Sequence, residues 1–223
     1  MCGRFTLFES GRILSKMFDA PLSDAPASRY NIAPSQTVLV VRRAQGSGRR
    51  EFALVRWGLV PSWAGDPAIG NRLINARSET AHEKPAFRAA YRSRRCLIPT
   101  SGFYEWRRLE RAKQPYFIRM TDGRPFAFAG LWEHWEGPDG NAIESCAILT
   151  TGSNRVLSPI HDRMPAIIGP GDYDRWLDPA DRKPESASPL LAPYDPDEMT
   201  SYPVSARVNS PAIDDKACIA SLS

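Results

Sequence analysis

Alternating hydrophobic and polar positions divide most of the chain into short strand-like segments. Six segments carry the β-branched and aromatic residues typical of strands: 36–43, 51–60, 96–106, 115–120, 125–135 and 144–152. The first two flank the turn sequence AQGSGR, which predicts a hairpin. Clusters of Gly, Asp and Pro at 121–125 and 137–141 predict further turns. The pattern therefore predicts a core built from short strands.

Helical periodicity is confined to short stretches. Apolar residues of the 8–18 segment fall near one face of a helix: Phe8, Ile13, Leu14, Met17 and Phe18. Short helices are also predicted for 77–95 after Pro85 and for 172–177, and a surface loop with a turn of helix for 178–199. With no internal repeat, residues 2–223 are expected to form a single α+β domain. We expect it to be mostly β, a curved antiparallel sheet or barrel with short peripheral helices.

Composition excludes several classes of protein. No apolar run approaches the roughly 20 residues of a membrane span, and charged residues interrupt any secretory signal pattern near residue 1. We therefore expect a cytoplasmic protein with no membrane partner. The four cysteines and three histidines show no metal-ligand spacing, so we expect no metal and no cofactor. Cys96 and Cys146 adjoin apolar runs and are predicted to be core residues.

The charge is unevenly distributed along the chain. Residues 1–124 hold 22 Lys and Arg against 10 Asp and Glu, whereas residues 125–223 hold 7 against 15. Of the cations, 24 are Arg and 5 are Lys. The planar guanidinium suits phosphate oxygens, so an Arg-rich half suggests a nucleic-acid surface. A solvated surface from a genome that favours Arg codons explains the same composition equally well.

The segment MCGRF places a cysteine directly after Met1. Because Cys is small, we expect Met1 to be removed, which would give Cys2 a free α-amine beside its thiol. An α-amine has a pKa near about 8 and is partly neutral at physiological pH. It can attack an aldehyde to form an imine, which the thiol can close to a five-membered thiazolidine ring. The alternative is a frayed terminal residue without function.

Two further residues carry candidate acid–base chemistry. Strand alternation in GFYEW places Phe103 and Glu105 on one face, opposite Tyr104 and Trp106. Apolar surroundings would raise the pKa of a carboxyl group there, which suits a general acid or base. His161, in IHDRMP, can exchange protons near neutral pH. Taken alone, both residues are better explained as a strand-edge glutamate and a loop histidine.

Nine segments in order resemble one family. They are MCGRF, YNIAP, RWGLVPSWA, NARSET, CLIPTSGFYEW, FAGLWEHW, ILTTGSN, IHDRMP and YPVSARVN. Together they resemble the SRAP family, the SOS response-associated peptidases, also called abasic-site processing proteins. The resemblance implies a mostly-β domain that binds single-stranded DNA and links covalently to abasic sites through the terminal cysteine. It also implies a role in the DNA damage response. We expect the chain to act as a monomer.

The resemblance also implies roles for particular residues. The catalytic group is expected to be Cys2, Asn75, Glu105 and His161. Arg77 and Arg163 are expected to contact the phosphates that flank the lesion. The remaining candidates for DNA binding are Arg4, Trp63, Trp106 and Thr150, with Thr151 as a competitor for the role of Thr150. Trp57, Trp132 and Trp135 are expected in the core, and His82 and His134 match no family site.

Two other functions remain open from the sequence. A thiol peptidase, including one that acts only on its own first residue, could use Cys2 as an N-terminal nucleophile with Glu105 and His161. A single-strand binding module would show steep salt dependence but would give no reason for a terminal aminothiol. Within the leading hypothesis, the imine could also undergo β-elimination as a lyase, and the crosslink could be reversed.

Overall fold

The structure is a computed structural model, and it describes residues 2–22, 26–181 and 183–222. Its strands are β1 (Phe5–Leu7), β2 (Arg29–Ile32), β3 (Thr37–Arg43), β4 (Arg50–Trp57), β5 (Asn75–Arg77), β6 (Arg95–Thr100), β7 (Gly102–Arg108), β8 (Lys113–Met120), β9 (Phe126–Glu136), β10 (Ala142–Gly152), β11 (Arg163–Pro165), β12 (Ile167–Ile168) and β13 (Met199–Pro203). The helices are α1 (Gly11–Phe18), α2 (Arg88–Ser93), α3 (Tyr173–Leu177) and α4 (Pro184–Ala187). Short 3-10 helices occupy Pro67–Arg72, Pro170–Asp172, Ser188–Leu191, Pro196–Glu198, Ala206–Asn209 and Lys216–Ile219.

Five strands close into a barrel in the order β10–β4–β3–β6–β9. Closure occurs because β10 pairs with β9 along one edge and with β4 along the other. The β10–β4 pairing is parallel, with Ser145 opposite Arg56, whereas the other pairings around the barrel are antiparallel. Strands β5 and β11 add to β10, and β12 adds to β9.

A second sheet has the order β13–β8–β7–β1–β2. One of its faces packs against the barrel: Phe5 of β1 makes edge contacts with the rings of Trp57 and Phe128, at centroid distances of 5.2 and 5.9 Å. These residues belong to one buried cluster that spans both sheets. The fold is therefore mostly β with short helices, which confirms the predicted fold class.

The other face of the second sheet is covered by residues 204–222, hereafter the 204–222 segment. Tyr104 and Phe117 form a second buried cluster there with Val204, Val208 and Cys218. Tyr104 thus faces away from Phe103, which packs in the main core, as strand alternation predicts. The sequence alone assigned no role to the final residues; the structure shows that they bury one side of the sheet.

The predicted barrel tryptophans and cysteines are confirmed as core residues. Trp57, Cys96 and Cys146 are completely buried. Trp132 and Trp135 are less than a tenth exposed. His134 is exposed on β9, and His82 packs beside the ring of Tyr91.

Several predicted boundaries were wrong, each for a local reason. The segment 96–106 is two strands, β6 and β7, because the chain leaves the barrel at Ser101 and enters the second sheet. A Cβ at Gly102 would lie 2.3 Å from the Phe117 ring, so only glycine fits at this passage. Strand β4 ends at Trp57 rather than 60, since Gly58 adopts a φ of +132° that other residues rarely take.

Two predicted surface features are also corrected. Helix α1 begins after Ser10, whose hydroxyl accepts a hydrogen bond from the Ile13 N–H. Phe8 therefore lies outside the helix and stacks on Tyr30, and Ile13 is exposed. The 178–199 region contains the predicted turn of helix, α4, but it does not lie wholly on the surface, because Leu191 is buried in the main core.

Candidate active site

Cys2 is buried rather than frayed. Its exposed fraction is 0%, and it belongs to the main core cluster. Strand β1 pairs with β7 through Phe5 opposite Phe103, and the Tyr104 N–H donates to the Arg4 carbonyl at 3.0 Å. These bonds fix the chain immediately after Cys2 and bring the residue alongside Glu105.

Glu105 is a buried carboxyl group beside Cys2. It is 2% exposed, and burial raises its pKa above the ordinary value for glutamate, while nearby His161 lowers that pKa by a smaller amount. Burial also raises the pKa of the Cys2 thiol, and the negative charge of Glu105 adds to that increase. Since such effects require short distances, Cys2, Glu105 and His161 lie in one site.

Asn75 contacts the backbone of Cys2. Its position comes from β5, which runs parallel to β10 with Asn75 opposite Ile148. The Asn75 Nδ2 donates to the Cys2 carbonyl at 2.8 Å. Its Oδ1 is buried and has no hydrogen-bond partner within residues 2–22, 26–181 and 183–222. A buried acceptor of this kind favours a ligand that brings its own donor.

His161 has a defined orientation. Its Nδ1 lies 3.0 Å from the Arg163 backbone nitrogen, whose N–H donates to it. The Asp162 carboxylate lies 2.9 Å from the same Nδ1. The side chain is 29% exposed and is therefore in contact with solvent.

Asn75, Arg77, Thr150 and Arg163, hereafter the strand-end cluster, lie on neighbouring strands. Thr150 of β10 is opposite Arg77 of β5 and next to β11. Arg163 donates to the Thr150 carbonyl at 2.5 Å and to its hydroxyl at 3.2 Å. Both threonines are buried, but Thr150 is the one that contacts Arg163, whereas Thr151 makes no hydrogen bond of this kind among the described residues.

Glu79 is a residue of this site that sequence reasoning missed. Arg163 forms two parallel hydrogen bonds with its carboxylate, at 2.6 and 2.9 Å. That pairing lowers the pKa of Glu79, and Arg77 contributes to the same effect. Glu79 lies two residues after Arg77 in the NARSET segment; an acidic residue amid predicted phosphate contacts was the available signal.

An open groove of about 450 Å³ extends from the strand-end cluster. It is lined by Trp63, Leu73, Asn75, Arg77, Thr80, Lys84, Pro85, Ala86 and Phe87. Trp63 is 60% exposed, and its indole N–H donates to the Pro85 carbonyl at 3.3 Å. The groove therefore combines an exposed aromatic face with two cations, which suits a chain of nucleotides.

Arg4 and Trp106 have polar partners elsewhere. The Trp106 indole N–H donates to Asn209 Oδ1 at 2.8 Å. The Arg4 guanidinium donates to Asn31 Oδ1 and to the Val208 and Asn209 carbonyls. The structure thus brings the other predicted site residues together and directs these two side chains toward the 204–222 segment.

Two properties concern the described residues as a whole. Within them, no helix is both long enough and apolar enough to cross a membrane. The same residues contain no group of three or more His, Cys, Asp or Glu side chains arranged to hold a metal ion.

Comparison with known proteins places this arrangement in a family. Residues 1–211 match the model of the family described as SOS response associated peptidase (SRAP). The chain is 45% identical to abasic site processing protein YoqW of Bacillus subtilis, over 95% of each protein. It is 33% identical to abasic site processing protein HMCES of Xenopus tropicalis, covering 90% of this chain and 68% of that protein.

Solved structures share the fold. A protein from Bacteroides thetaiotaomicron covers all of both chains with a TM-score of 0.90 and 24% identity. A protein from Bordetella bronchiseptica covers 92% of this chain and 100% of its own, with a TM-score of 0.77 and 27% identity.

Proposed function

Since the chain belongs to the SRAP family, we propose that it processes abasic sites in DNA by forming a covalent link through Cys2. The observation that carries the proposal is the burial of Cys2 with its carbonyl bound by Asn75 and its thiol beside Glu105. A cysteine near a chain terminus has no structural need for such neighbours. An aminothiol that reacts with an aldehyde needs neighbours that hold it in position and transfer protons.

The α-amine of Cys2, released by removal of Met1, is the first nucleophile. It attacks the aldehyde carbon of the open abasic sugar, and loss of one water gives an imine. The Cys2 sulfur then bonds to the imine carbon, while the thiol proton passes to the nitrogen, giving a thiazolidine. The raised pKa of the thiol supports this order, because a protonated thiol leaves the first attack to the amine.

Glu105 and His161 move the protons. The raised pKa of Glu105 lets its carboxyl group hold a proton closer to neutral pH and deliver it to the hydroxyl that leaves as water. His161 protonates the ring oxygen of the sugar, which frees the aldehyde. Asn75 holds the Cys2 carbonyl, and its Oδ1 accepts a hydrogen bond from the amine or from a sugar hydroxyl.

We propose single-stranded DNA as the substrate. Arg77 and Arg163 bind the phosphates on either side of the lesion, with Arg163 exchanging the Glu79 carboxylate for a phosphate. Trp63 stacks on an unpaired base in the adjacent groove. The imine can also lose the 3′ phosphate by β-elimination, so strand cleavage is a side reaction, and protonation of the ring nitrogen permits reversal.

The peptidase alternative is less well supported. A cysteine peptidase needs a thiolate, and such cysteines lie in environments that lower the thiol pKa. Burial and the charge of Glu105 do the opposite at Cys2. A simple binding module, the third hypothesis, leaves the burial of Cys2 and Glu105 unexplained.

The test is incubation with an oligonucleotide in which one uracil has been excised, followed by a denaturing gel. We expect a heat-stable adduct with the natural abasic site and none with a borohydride-reduced site, which lacks the aldehyde. Cys2→Ala keeps an α-amine, so it should give only an imine that requires borohydride trapping. A heat-stable adduct in Cys2→Ala would refute the proposal.

A further inference from the structure

We propose that Arg4 is a positioning residue for Cys2 and that it does not bind DNA phosphate. The Arg4 Nη1 donates to Asn31 Oδ1 at 2.8 Å and to the Val208 carbonyl at 2.6 Å. Its Nη2 donates to the Asn209 carbonyl at 3.1 Å. Both terminal nitrogens are therefore committed to oxygen atoms of the protein.

Asn31 connects this arginine to the 204–222 segment. Its side chain is completely buried, and Nδ2 lies within hydrogen-bond distance of three carbonyls, those of Val208, Ser210 and Ile213. Because Oδ1 accepts from Arg4, one amide group links residue 4 to a stretch about two hundred positions away in the chain. A carboxamide can do this because its NH₂ group donates to carbonyls while its oxygen accepts from a guanidinium.

Asp214 anchors the far end of that stretch. Its Oδ1 accepts from the Asn31 N–H at 2.7 Å and from the Tyr30 N–H, and its Oδ2 pairs with Arg29. Asp214 lies beyond residue 211, the last residue matched by the family model. The Asp214 contact of the segment is therefore outside the matched region, whereas Arg4 and its partners Val208 and Asn209 lie within it.

Fixing Arg4 also fixes Cys2. The Arg4 carbonyl accepts from the Tyr104 N–H at 3.0 Å and lies 3.8 Å from the Cys2 Sγ. With its side chain held on one side and its carbonyl on the other, Arg4 restrains the backbone two residues from the thiol. A terminus that would otherwise fray is thereby kept beside Glu105.

Access to phosphate would break this arrangement. A phosphate that recruited Arg4 would take the guanidinium donor from Asn31 Oδ1 and from the Val208 carbonyl, both at part-buried contacts, and from the exposed Asn209 carbonyl. The Val208 carbonyl would keep only its 3.2 Å contact with Asn31 Nδ2. Arg77, by contrast, is exposed at the strand-end cluster. The two arginines should therefore respond differently to the same substitution.

The test compares Arg4→Lys and Arg4→Met with Arg77→Met as the matched control. Cys2 alkylation by iodoacetamide, followed by peptide mass mapping without DNA, reports how firmly Cys2 is held. We expect about tenfold faster alkylation of Cys2 in Arg4→Met and a smaller increase in Arg4→Lys, as expected for lost hydrogen bonds. Cys96 and Cys146, inside the barrel, should stay protected; their labelling would reveal global unfolding instead.

DNA binding separates positioning from phosphate contact. In a salt series with an undamaged oligonucleotide, Arg77→Met should lower the slope of log affinity against log salt by about one, while both Arg4 variants keep the wild-type slope. Crosslinking should slow in both Arg4 variants, since lysine retains the charge but not the fork that reaches several acceptors.

A phosphate role predicts the reverse pattern. In that case Arg4→Met would show a reduced salt slope with unchanged Cys2 alkylation, Arg4→Lys would crosslink nearly as well as the wild type, and the inference would be overturned.

The crosslinking arm rests on the proposed function. If the wild type formed no crosslink at all, that function would fail, while alkylation and the salt slopes would still decide the role of Arg4. If Arg4→Met unfolds globally, the alkylation rate and the salt slope of Arg4→Lys decide the role of Arg4 by the same criteria.

Discussion

Two regions of the molecule hold arginines in opposite ways. At the strand-end cluster, Arg163 pairs with Glu79, a carboxylate that is 52% exposed. Near Cys2, the Arg4 guanidinium donates, among the described residues, to neutral oxygen atoms, those of Asn31 and two backbone carbonyls. Under the proposed function, the first arrangement would exchange one anion for another when a phosphate binds, whereas the second would lose its hydrogen bonds to the protein.

Magnitudes explain why this difference matters. The Glu79 carboxylate is half exposed, and ion pairs that face solvent contribute about 0–1 kcal/mol, so under the proposed function a phosphate would replace Glu79 at little cost. Leaving a buried acceptor unsatisfied costs about 1–3 kcal/mol for each group. We therefore expect the strand-end cluster to govern affinity for DNA and the buried region around Cys2 to govern the rate of reaction.

The largest expected effect is in the buried region. Glu105→Gln keeps the size of the side chain but cannot transfer a proton, so crosslinking should slow by about 10²- to 10⁴-fold. Affinity for an undamaged oligonucleotide should remain at the wild-type value. Single-turnover crosslinking measures the rate, and fluorescence anisotropy measures the affinity. If affinity fell as much as the rate, the proposed separation between a DNA-binding region and a reactive region would be wrong.

The next effect concerns the groove. Trp63→Ala removes an exposed stacking surface and should weaken single-strand binding by about 1–3 kcal/mol. At saturating DNA the crosslinking rate should match the wild type. Trp57→Phe, a change inside the barrel, serves as the comparison, because it should alter thermal stability and leave affinity alone. Unchanged affinity in Trp63→Ala would remove the groove from the binding site.

Asn75 contacts Cys2 and also lines the groove, so a variant at this position tests to which of the two regions it belongs. Asn75→Ala deletes the 2.8 Å hydrogen bond to the Cys2 carbonyl. A lost hydrogen bond of about 1 kcal/mol should slow crosslinking about fivefold and speed alkylation of Cys2. If the variant changed affinity alone, Asn75 would belong wholly to the DNA-binding surface.

A smaller effect of opposite sign is expected at Glu79. Glu79→Gln removes a negative charge that competes with phosphate for Arg163. Affinity for single-stranded DNA should rise by about threefold, within the range of a surface ion pair. Competition binding against the wild type is sensitive enough to measure this change. Weaker binding would mean that Glu79 instead orients Arg163 for the phosphate.

The smallest effect is a pH dependence of stability. Because the folded protein raises the pKa of Glu105, it binds the proton more tightly than the unfolded chain. This contribution is present at acid pH and is lost as pH rises from the ordinary glutamate value through the raised one. Glu105→Gln should therefore flatten the decline in unfolding free energy over that range, measured by urea titrations at several pH values. An identical slope in both proteins would contradict the raised pKa.

The sequence predicts the long strands well because their side chains alternate over many residues. The boundaries predicted for β3, β9 and β10 agree with the structure to within two residues. Strands β1, β5 and β11 have three residues each, too few to show any period. Yet these short strands position the chain at Cys2, Asn75 and Arg163. Tertiary pairing, which a local pattern does not encode, creates the site.

The sequence predicts the role of a residue only where that role follows from its own side chain and its near neighbours along the chain. The expectation that burial would raise the pKa of Glu105 agrees with the structure, since apolar neighbours follow from strand alternation. The partners of Arg4 were not predictable, because Val208 and Asn209 are distant in sequence and offer only backbone carbonyls. Because every residue has a backbone carbonyl, the sequence does not show which carbonyls accept a hydrogen bond from Arg4.

The most direct test of the central claim is the intact mass of the conjugate formed with an abasic oligonucleotide. The account predicts the mass of the protein lacking Met1 plus that of the oligonucleotide, less one water. Peptide mapping should locate the link at Cys2, with its thiol resistant to alkylation. A conjugate that retains Met1, or one joined through a lysine, would contradict it.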